Sequence, residues 1–212
     1  MEIIVCIKQV LDTGAKIEMQ GEKVVASASP YIINPYDEFA LEEAIRIKSA
    51  LPDSEVTVFS LGPERVQEAL KRALAMGADH AVHILDPLFD GIDNSLIAKI
   101  LAKAIQKKSF DLVLCGRQAV DDDMAQVGPA LAVLLGIPFI TIVTKIQFSE
   151  NFQTVDITRQ IEGGSEIQKN RSLPFLVTCQ KGLNEPRFPS LKGIMAAKKK
   201  EIQKISASDL QL

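Results

Sequence analysis

The feature that most constrains the fold is the alternation of short, β-branched apolar runs with segments of helical periodicity. Buried strands are predicted over residues 3–7, 55–61, 81–85, 110–115 and 139–144. The segments between them predict helices over 34–49, from 62 to 77, over 94–107 and up to about 136. Parallel neighbouring strands require crossover helices, and strands covered on both faces are apolar throughout. The sequence therefore predicts an α/β fold with a doubly wound, mostly parallel sheet.

Local signals add detail at both ends of this pattern. Asn34 is expected to cap the first helix with its side chain, and Pro35 suits the first helical position because its missing N–H has no partner there. Residues 17–18 and 23–25 predict a small hairpin. Further along, 152–161 alternates as an antiparallel strand does, Gly163 and Gly164 predict a turn, and 173–179 predicts another strand.

Composition excludes several classes of function. A net charge of −3 and the absence of Trp argue against nucleic-acid binding. No apolar run approaches the roughly 18 residues of a membrane span. The N-terminus lacks the basic region of a signal peptide, so the expected location is cytoplasmic, or a matrix if a transit peptide was removed. Cys6, Cys115 and Cys179 are widely spaced and lie in or beside apolar runs; they are predicted core residues, with no disulfide and no metal site expected.

The candidate binding region follows from the expected topology. Ligands of open α/β sheets bind beyond the carboxyl ends of the strands, where neighbouring crossovers diverge. A strand order of 3-2-1-4-5 makes the first and fourth strands neighbours, which points to residues 6–9 and 116–129. The second segment is long and polar for a connection, which favours a binding loop. Gly116 is expected to let the backbone approach a ligand, and Arg117 and nearby backbone amides are expected to hold a phosphate.

The acidic residues of this loop admit two interpretations. Asp123 and Gln126 fit a capping box, which is a structural role. Pro129 would then lie inside the helix; alternatively, it marks the true first turn of a helix that begins later. A Mg²⁺ site is the weaker interpretation because the sequence has no second acidic cluster. The dinucleotide fingerprint, the P-loop and nucleophile motifs are missing, so the sequence predicts a binder without its own catalytic acid–base set.

Six stretches, in collinear order over nearly the whole chain, form a recognisable set. They are IKQVLD at 7–12, NPYDE at 34–38, ALAMGAD at 73–79, CGRQAVDDD at 115–123, NEPR at 184–187 and IMAAKKK at 194–200. Together they resemble the β subunit of the electron transfer flavoproteins. The chain departs from this family in two ways: the stretch 162–174 is one residue longer than usual, and family members continue beyond the position of Leu212 into an arm that packs on the α subunit.

The resemblance implies a Rossmann-like, adenine nucleotide alpha-hydrolase-like fold and a heterodimer whose α subunit supplies most contacts to a redox-active FAD. It implies an electron carrier rather than an enzyme by itself. Its partners would be acyl-CoA or other dehydrogenases, as in fatty acid oxidation, and a quinone oxidoreductase or ferredoxin downstream. The nucleotide contacts carried over by motif are Cys6, Asn34, Pro35, Tyr36, Asp37, Leu61, Gly116, Arg117, Gln118, Ala119, Val120, Asp121, Asp122, Asp123, Met124, Ala125, Gln126 and Val127.

The resemblance leaves the nucleotide open. Ordinary members hold a buried AMP in this pocket, whereas electron-bifurcating members hold a second FAD that reacts with NADH. Gln9, Thr13 and residues 126–129 match the bifurcating branch, whereas 121–123 and 184–187 match the ordinary branch. AMP is favoured as the commoner outcome, and a second FAD is the alternative. A stand-alone adenine-nucleotide sensor, similar to universal stress proteins, and a purely structural loop are the remaining interpretations.

The C-terminal segment differs in charge from the rest of the chain. Residues 181–204 carry a net charge of +5, against −8 for the remainder. The chain is accordingly divided into a nucleotide-binding domain, 1–180, and a partner-recognition segment, 181–212. The resemblance and the charge predict that dehydrogenases dock on Arg187, Leu191, Ile194, Met195, Lys198, Lys199 and Lys200. The alternative is a helix packed on its own domain with a solvated lysine face.

Overall fold

A computed structural model describes residues 1–14, 18–21, 23–25, 31–150 and 152–212. The strands are β1 (Glu2–Cys6), β2 (Gln9–Leu11), β3 (Glu18–Gln20), β4 (Lys23–Val25), β5 (Tyr31–Ile33), β6 (Glu55–Leu61), β7 (His80–Ile84), β8 (Leu112–Gly116), β9 (Phe139–Phe148), β10 (Thr154–Ile161), β11 (Gly164–Ser172), β12 (Phe175–Cys179) and β13 (Ile202–Ile205). The helices are α1 (Pro35–Ala50), α2 (Gln67–Met76), α3 (Asn94–Ile105), α4 (Val127–Leu135) and α5 (Leu191–Ala197). The predicted α/β class is confirmed, and the predicted helices and strands lie within a few residues of the observed ones.

The central sheet has nine strands in the order β11-β10-β9-β12-β8-β1-β6-β7-β13. All pairings from β9 to β13 in this order are parallel, and only β10 and β11 add antiparallel pairs. The predicted neighbours β1 and β8 are confirmed. The predicted order 3-2-1-4-5 is wrong at one place, because β12 lies between β8 and β9 and pairs with both. A fully buried apolar strand such as β12 is best placed inside a sheet, where both faces are covered.

Two apolar cores lie on opposite faces of the sheet. One core packs α1 and α2 on the sheet, with Leu41 and Leu70 fully buried. The other packs α3 and α4, with Ile105 and Leu131 fully buried. Strands covered on both faces explain the continuous apolar runs of the sequence.

The antiparallel part of the chain follows the predicted pattern. β10 confirms the strand predicted over 152–161, and the chain turns at Glu162 and Gly163 before β11 begins. The hairpin predicted near the N-terminus is present as β3 and β4. Its first predicted residue, Ile17, lies outside the described residues.

The C-terminal segment adds two elements to the body. α5 packs on α2, and β13 pairs in parallel with β7 at the edge of the sheet. The sequence predicted neither β13 nor its contribution to the central sheet, and the division at residue 180 stays a prediction. In the described ranges, every helix is too short or too polar to cross a membrane.

The contact between α5 and α2 gives a first testable prediction. A Cβ at Gly193 would lie 2.2 Å from the carbonyl oxygen of Ala75, so Gly193→Ala should push α5 off α2. Overpacking of this kind costs about 1–3 kcal/mol. Trypsin should therefore cleave at Lys198 or Lys199 roughly tenfold faster, as measured by mass spectrometry of timed digests.

The matched control for this variant is Gly164→Ala, since a Cβ there has no atom within 4 Å. Equal digestion rates for the two variants would show that the close approach of α5 does not hold the segment.

Candidate functional site

A cleft lies at the carboxyl ends of β1, β6 and β8, bordered by the first turns of α3 and α4. Its empty volume, including the part open to solvent, is about 720 Å³. The lining residues are Cys6, Ile7, Lys8, Asn34, Asp37, Leu61, Asn94, Ile97, Leu101, Cys115, Gly116, Arg117, Gln118, Ala119, Asp122, Ala125, Gln126, Val127 and Gly128. The switch-point prediction for 6–9 and 116–129 thus identifies the region of the cleft.

Asp37 ties together the elements that form the cleft. It lies in the first turn of α1, and its carboxylate accepts hydrogen bonds from the backbone N–H of Lys8, over 2.7 Å, and of Gly116, over 3.0 Å. Burial raises the pKa of Asp37 to about 7, although these two backbone donors oppose the rise. The side chain therefore joins the end of β1, the end of β8 and the start of α1.

Asn34 occupies the N-cap position of α1, as predicted, but the predicted cap bond is wrong. Its side-chain amide donates to the carbonyl of Gln118 over 2.8 Å, and its side-chain oxygen accepts from the N–H of Val120 over 3.1 Å. A cap would use only the side-chain oxygen as an acceptor, whereas the distant loop bonds both the oxygen and the N–H₂ group. Asn34 thus fixes the position of the loop.

The packing around Gly116 leaves no room for a side chain. A Cβ at this position would lie 2.1 Å from Oδ1 of Asp37 and 2.7 Å from the carbonyl carbon of Tyr36. The glycine therefore lets the start of α1 approach β8. Its role in this structure is the packing of two protein segments; it also lines the cleft, and its close approach to a ligand stays a prediction.

The loop after β8 does not end in the predicted capping box. α4 begins at Val127 with Gln126 at its N-cap position, and Pro129 lies in its first turn. Asp123 accepts a hydrogen bond from the side chain of Gln118 over 2.6 Å instead. Asp123 and Ala125 have left-handed φ angles of 52° and 53°. This conformation costs non-glycine residues about 1–2 kcal/mol each, so the surrounding contacts hold the loop in a defined shape.

The two cationic side chains that line the cleft, Lys8 and Arg117, differ in whether they have an acidic partner. Lys8 Nζ lies 2.7 Å from Asp121 and 3.2 Å from Asp122, and Asn94 also donates to Asp122. The charge of Lys8 is thus already paired at the mouth of the cleft. Arg117 lines the cleft too, and its guanidinium has no polar partner within the described part of the chain. Arg117 is the cation that remains available to an anionic ligand.

The structure brings most of the predicted nucleotide contacts to the cleft. Six residues of the predicted set do not line it: Pro35, Tyr36, Val120, Asp121, Asp123 and Met124. The set left out three residues of α3, which are Asn94, Ile97 and Leu101. Their signal was available, since the helix that follows the third strand begins at the same edge of a parallel sheet.

The predicted docking residues form a separate surface on α5 and the segment before it. Leu191 is 83% exposed and Met195 69% exposed, and Phe188, which the prediction left out, is 85% exposed. Lys198 and Lys199 are exposed on the same segment. The alternative of a helix packed on its own domain is confirmed in part, because Ala197 is buried against the body, and docking on this segment stays a prediction.

Arg187 and Lys200, by contrast, point their charges to the body. The guanidinium of Arg187 forms two hydrogen bonds with the buried carboxylate of Glu42, over 2.8 and 2.9 Å. The pKa of Arg187 rises further because of this bond. Lys200 donates to the carbonyl of Ala78 over 2.6 Å. In this structure, both residues anchor the segment, and their role in docking stays a prediction.

Comparison with known proteins identifies what the chain is similar to. A family profile, the electron transfer flavoprotein domain, matches residues 22–210. The chain is 46% identical to the electron transfer flavoprotein subunit beta of Thermoanaerobacterium thermosaccharolyticum, over the whole chain and 81% of that protein. It is 42% identical to the protein of the same name from Bacillus subtilis, with the same coverage. It is also 42% identical to the caffeyl-CoA reductase-Etf complex subunit CarD of Acetobacterium woodii, over the whole chain and 80% of that protein.

The buried carboxylate of Asp37 generates a pH-dependent prediction. The pKa is about 7 in the folded chain and 3.8, its ordinary value, in the unfolded chain. Between these values the folded state keeps a proton that the unfolded state has released, so rising pH lowers the free energy of unfolding. Above about pH 7 both states are ionised, and this dependence ends.

Asp37→Asn removes that dependence and places an amide N–H₂ opposite a backbone donor, which costs about 1–3 kcal/mol. The variant should be less stable than the unaltered protein at pH 5, and the difference should narrow towards pH 7.5, as measured by urea unfolding. Asp53→Asn, which changes an exposed carboxylate, is the control. A difference for Asp37→Asn that stays constant over this range would contradict the prediction.

Proposed function

The chain belongs to the β-subunit family of the electron transfer flavoproteins, and from this membership we propose three activities for it. It binds an AMP in the cleft described above, it pairs with an α subunit that supplies most contacts to a redox-active FAD, and it docks partner dehydrogenases through the C-terminal segment. It acts as an electron-carrier subunit, and the cytoplasmic location expected from its sequence stays a prediction.

The observation that carries the nucleotide proposal is the combination of an unpaired cation and a helix N-terminus in one cleft. Arg117 offers planar donors for a phosphate, and the first turn of α4 adds backbone N–H groups and the positive end of the helix dipole. Apolar residues that include Ile97 and Leu101 line the same cleft, which suits the face of an adenine ring. The residues present thus fit a nucleoside phosphate.

The flavin proposal rests on the family. FAD supplies reversible electron transfer when it is bound, and we assign none of its contacts to residues of this chain. In this proposal the chain contributes two things. Its nucleotide-binding domain, with the nucleotide bound, supports the α subunit, and its C-terminal segment binds the electron donor.

The docking proposal rests on the apolar residues of the C-terminal segment. Phe188, Leu191 and Met195 are exposed close together in sequence on a segment that is otherwise anchored to the body. Large apolar side chains on an accessible surface favour burial in a partner's pocket, and the neighbouring Lys198 and Lys199 would steer an acidic partner towards it. Acyl-CoA and other dehydrogenases are the proposed donors, and a quinone oxidoreductase or ferredoxin is the proposed acceptor.

Mass analysis of the nucleotide released from the purified αβ complex tests the first proposal. One AMP in addition to one FAD per heterodimer is expected. Two FAD would replace this proposal with that of a bifurcating subunit whose second FAD reacts with NADH. A cleft without a nucleotide would contradict both.

Arg117→Ala should weaken retention of the nucleotide about tenfold or more, because a hydrogen bond to a charged group contributes about 1.5–3 kcal/mol. Folding should be unaffected, since the guanidinium has no polar partner within the described residues. Arg46→Ala, on α1 outside the cleft, is the matched control. Retention is measured as nucleotide content after extended dialysis, and equal contents for the two variants would exclude a phosphate contact by Arg117.

Leu191→Ala should lower the rate of electron transfer from a partner dehydrogenase about tenfold or more, since an interface anchor contributes at least about 2 kcal/mol. FAD content and melting temperature should not change, because the side chain is almost wholly exposed. Leu88→Ala alters a similarly exposed leucine outside the C-terminal segment and should have no effect on the rate. Equal rates for both variants in a steady-state assay would return this segment to a purely structural role.

A further inference from the structure

Two cysteines stand side by side at the floor of the cleft. β1 and β8 pair in parallel, and in their register Cys6 is opposite Cys115. Both side chains belong to the core between the sheet and helices α3 and α4, so they point to the same face of the sheet. Both residues also line the cleft. The third cysteine, Cys179, is fully buried in the core on the other face and does not line the cleft.

The environment of the pair makes it a poor nucleophile. Cys6 is 7% exposed and Cys115 5% exposed. A hydrogen bond with Cys6, together with burial, raises the pKa of Cys115 well above its ordinary value. Reactive cysteines have lowered pKa values, so the pair does not act as an attacking thiolate. The two thiols can instead bind a metal ion, provided that the ion binds sulfur strongly enough to displace the thiol protons.

The geometry selects among such ligands. Adjacent strands are about 4.8 Å apart, and two thiols that stand side by side across this separation offer a soft ion two sulfur ligands. A disulfide requires Cβ atoms about 3.8 Å apart and would draw the strands together. Zinc requires four ligands, and the described residues contain no group of three or more His, Cys, Asp or Glu side chains suited to a metal.

We propose that Cys6 and Cys115 form a two-coordinate site for a soft monovalent cation, Cu(I), at the floor of the cleft. Soft thiolate ligands select Cu(I) over harder cations. When Cu(I) binds, each thiol releases one proton to solvent and each sulfur forms one bond to the ion, which leaves a net charge of −1. No electron is transferred, and the copper stays Cu(I).

One consequence rests on the proposed function. Because the two thiols line the cleft proposed for the nucleotide, the bound nucleotide would shield them, and Cu(I) would enter mainly when the cleft is empty. Binding of the ion itself does not depend on this, since it requires only the two thiols and access through the cleft.

The test is a titration of the nucleotide-stripped αβ complex with Cu(I), buffered by bathocuproine disulfonate under argon. The unaltered complex should bind one more Cu(I) per heterodimer than the Cys6→Ala and Cys115→Ala complexes, with each variant at least about 100-fold weaker at this site. Cys179→Ala is the matched control and should bind as the unaltered complex does. Affinity should rise with pH, by up to about 100-fold per pH unit, because two protons are released.

X-ray absorption of the unaltered complex with one Cu(I) bound avoids any dependence on the folding of the variants, and it should show a first shell of two sulfur atoms. Equal Cu(I) uptake by all four proteins, or a shell of nitrogen and oxygen atoms, would overturn the proposal. So would a Cys6–Cys115 disulfide as the only product, seen as a mass lower by two hydrogens. Nucleotide content is measured before stripping, so a failure of the nucleotide proposal appears there and not in the uptake of Cu(I).

Discussion

The cleft depends on one buried carboxylate. The crossovers of neighbouring strands diverge at the carboxyl ends of β1 and β8, and Asp37 accepts hydrogen bonds there from the backbone N–H groups of Lys8 and Gly116. Because Asp37 belongs to the first turn of α1, the same contact fixes this helix against both strands. Asn34, three residues earlier, binds the loop after β8. The start of one helix thus positions the ends of β1 and β8 and the loop after β8, which line the cleft.

The parts of the fold that follow from local pattern could be predicted from the sequence. Strands such as β1 and β8 are buried on both faces, so the sequence shows them as continuous apolar runs. Helices are expected between them because parallel neighbouring strands need a crossover connection. The place of β12 could not be predicted, because a five-residue apolar strand carries no local information about which two neighbours it joins. β13 was not predicted because it is an edge strand of only four residues within a basic segment, and two of the four are polar and exposed.

The candidate site shows the same division. The switch-point rule depends only on the adjacency of β1 and β8, so it located the cleft although the place predicted for the fifth strand, directly beside β8, was wrong. The rules for caps failed at Asn34 and Asp123 because they consider only the nearest backbone partners. In the folded chain, Asn34 finds partners more than eighty residues away, and Asp123 binds Gln118 instead of the next helix. Local rules thus predict the residues that matter but not the contacts they make.

Some charged side chains of the C-terminal segment bind the body of the protein, and others do not. Arg187 binds Glu42, Lys200 binds a backbone carbonyl, and Lys204 lies 2.8 Å from Glu64. These bonds hold both ends of α5 to the body, whereas the charges of Lys198 and Lys199 find no partner among the described residues. A surface held in this way has lost much of its conformational entropy before any partner arrives. Since ordering an interface opposes association, an anchored apolar patch can bind a partner more tightly than a free arm of the same sequence.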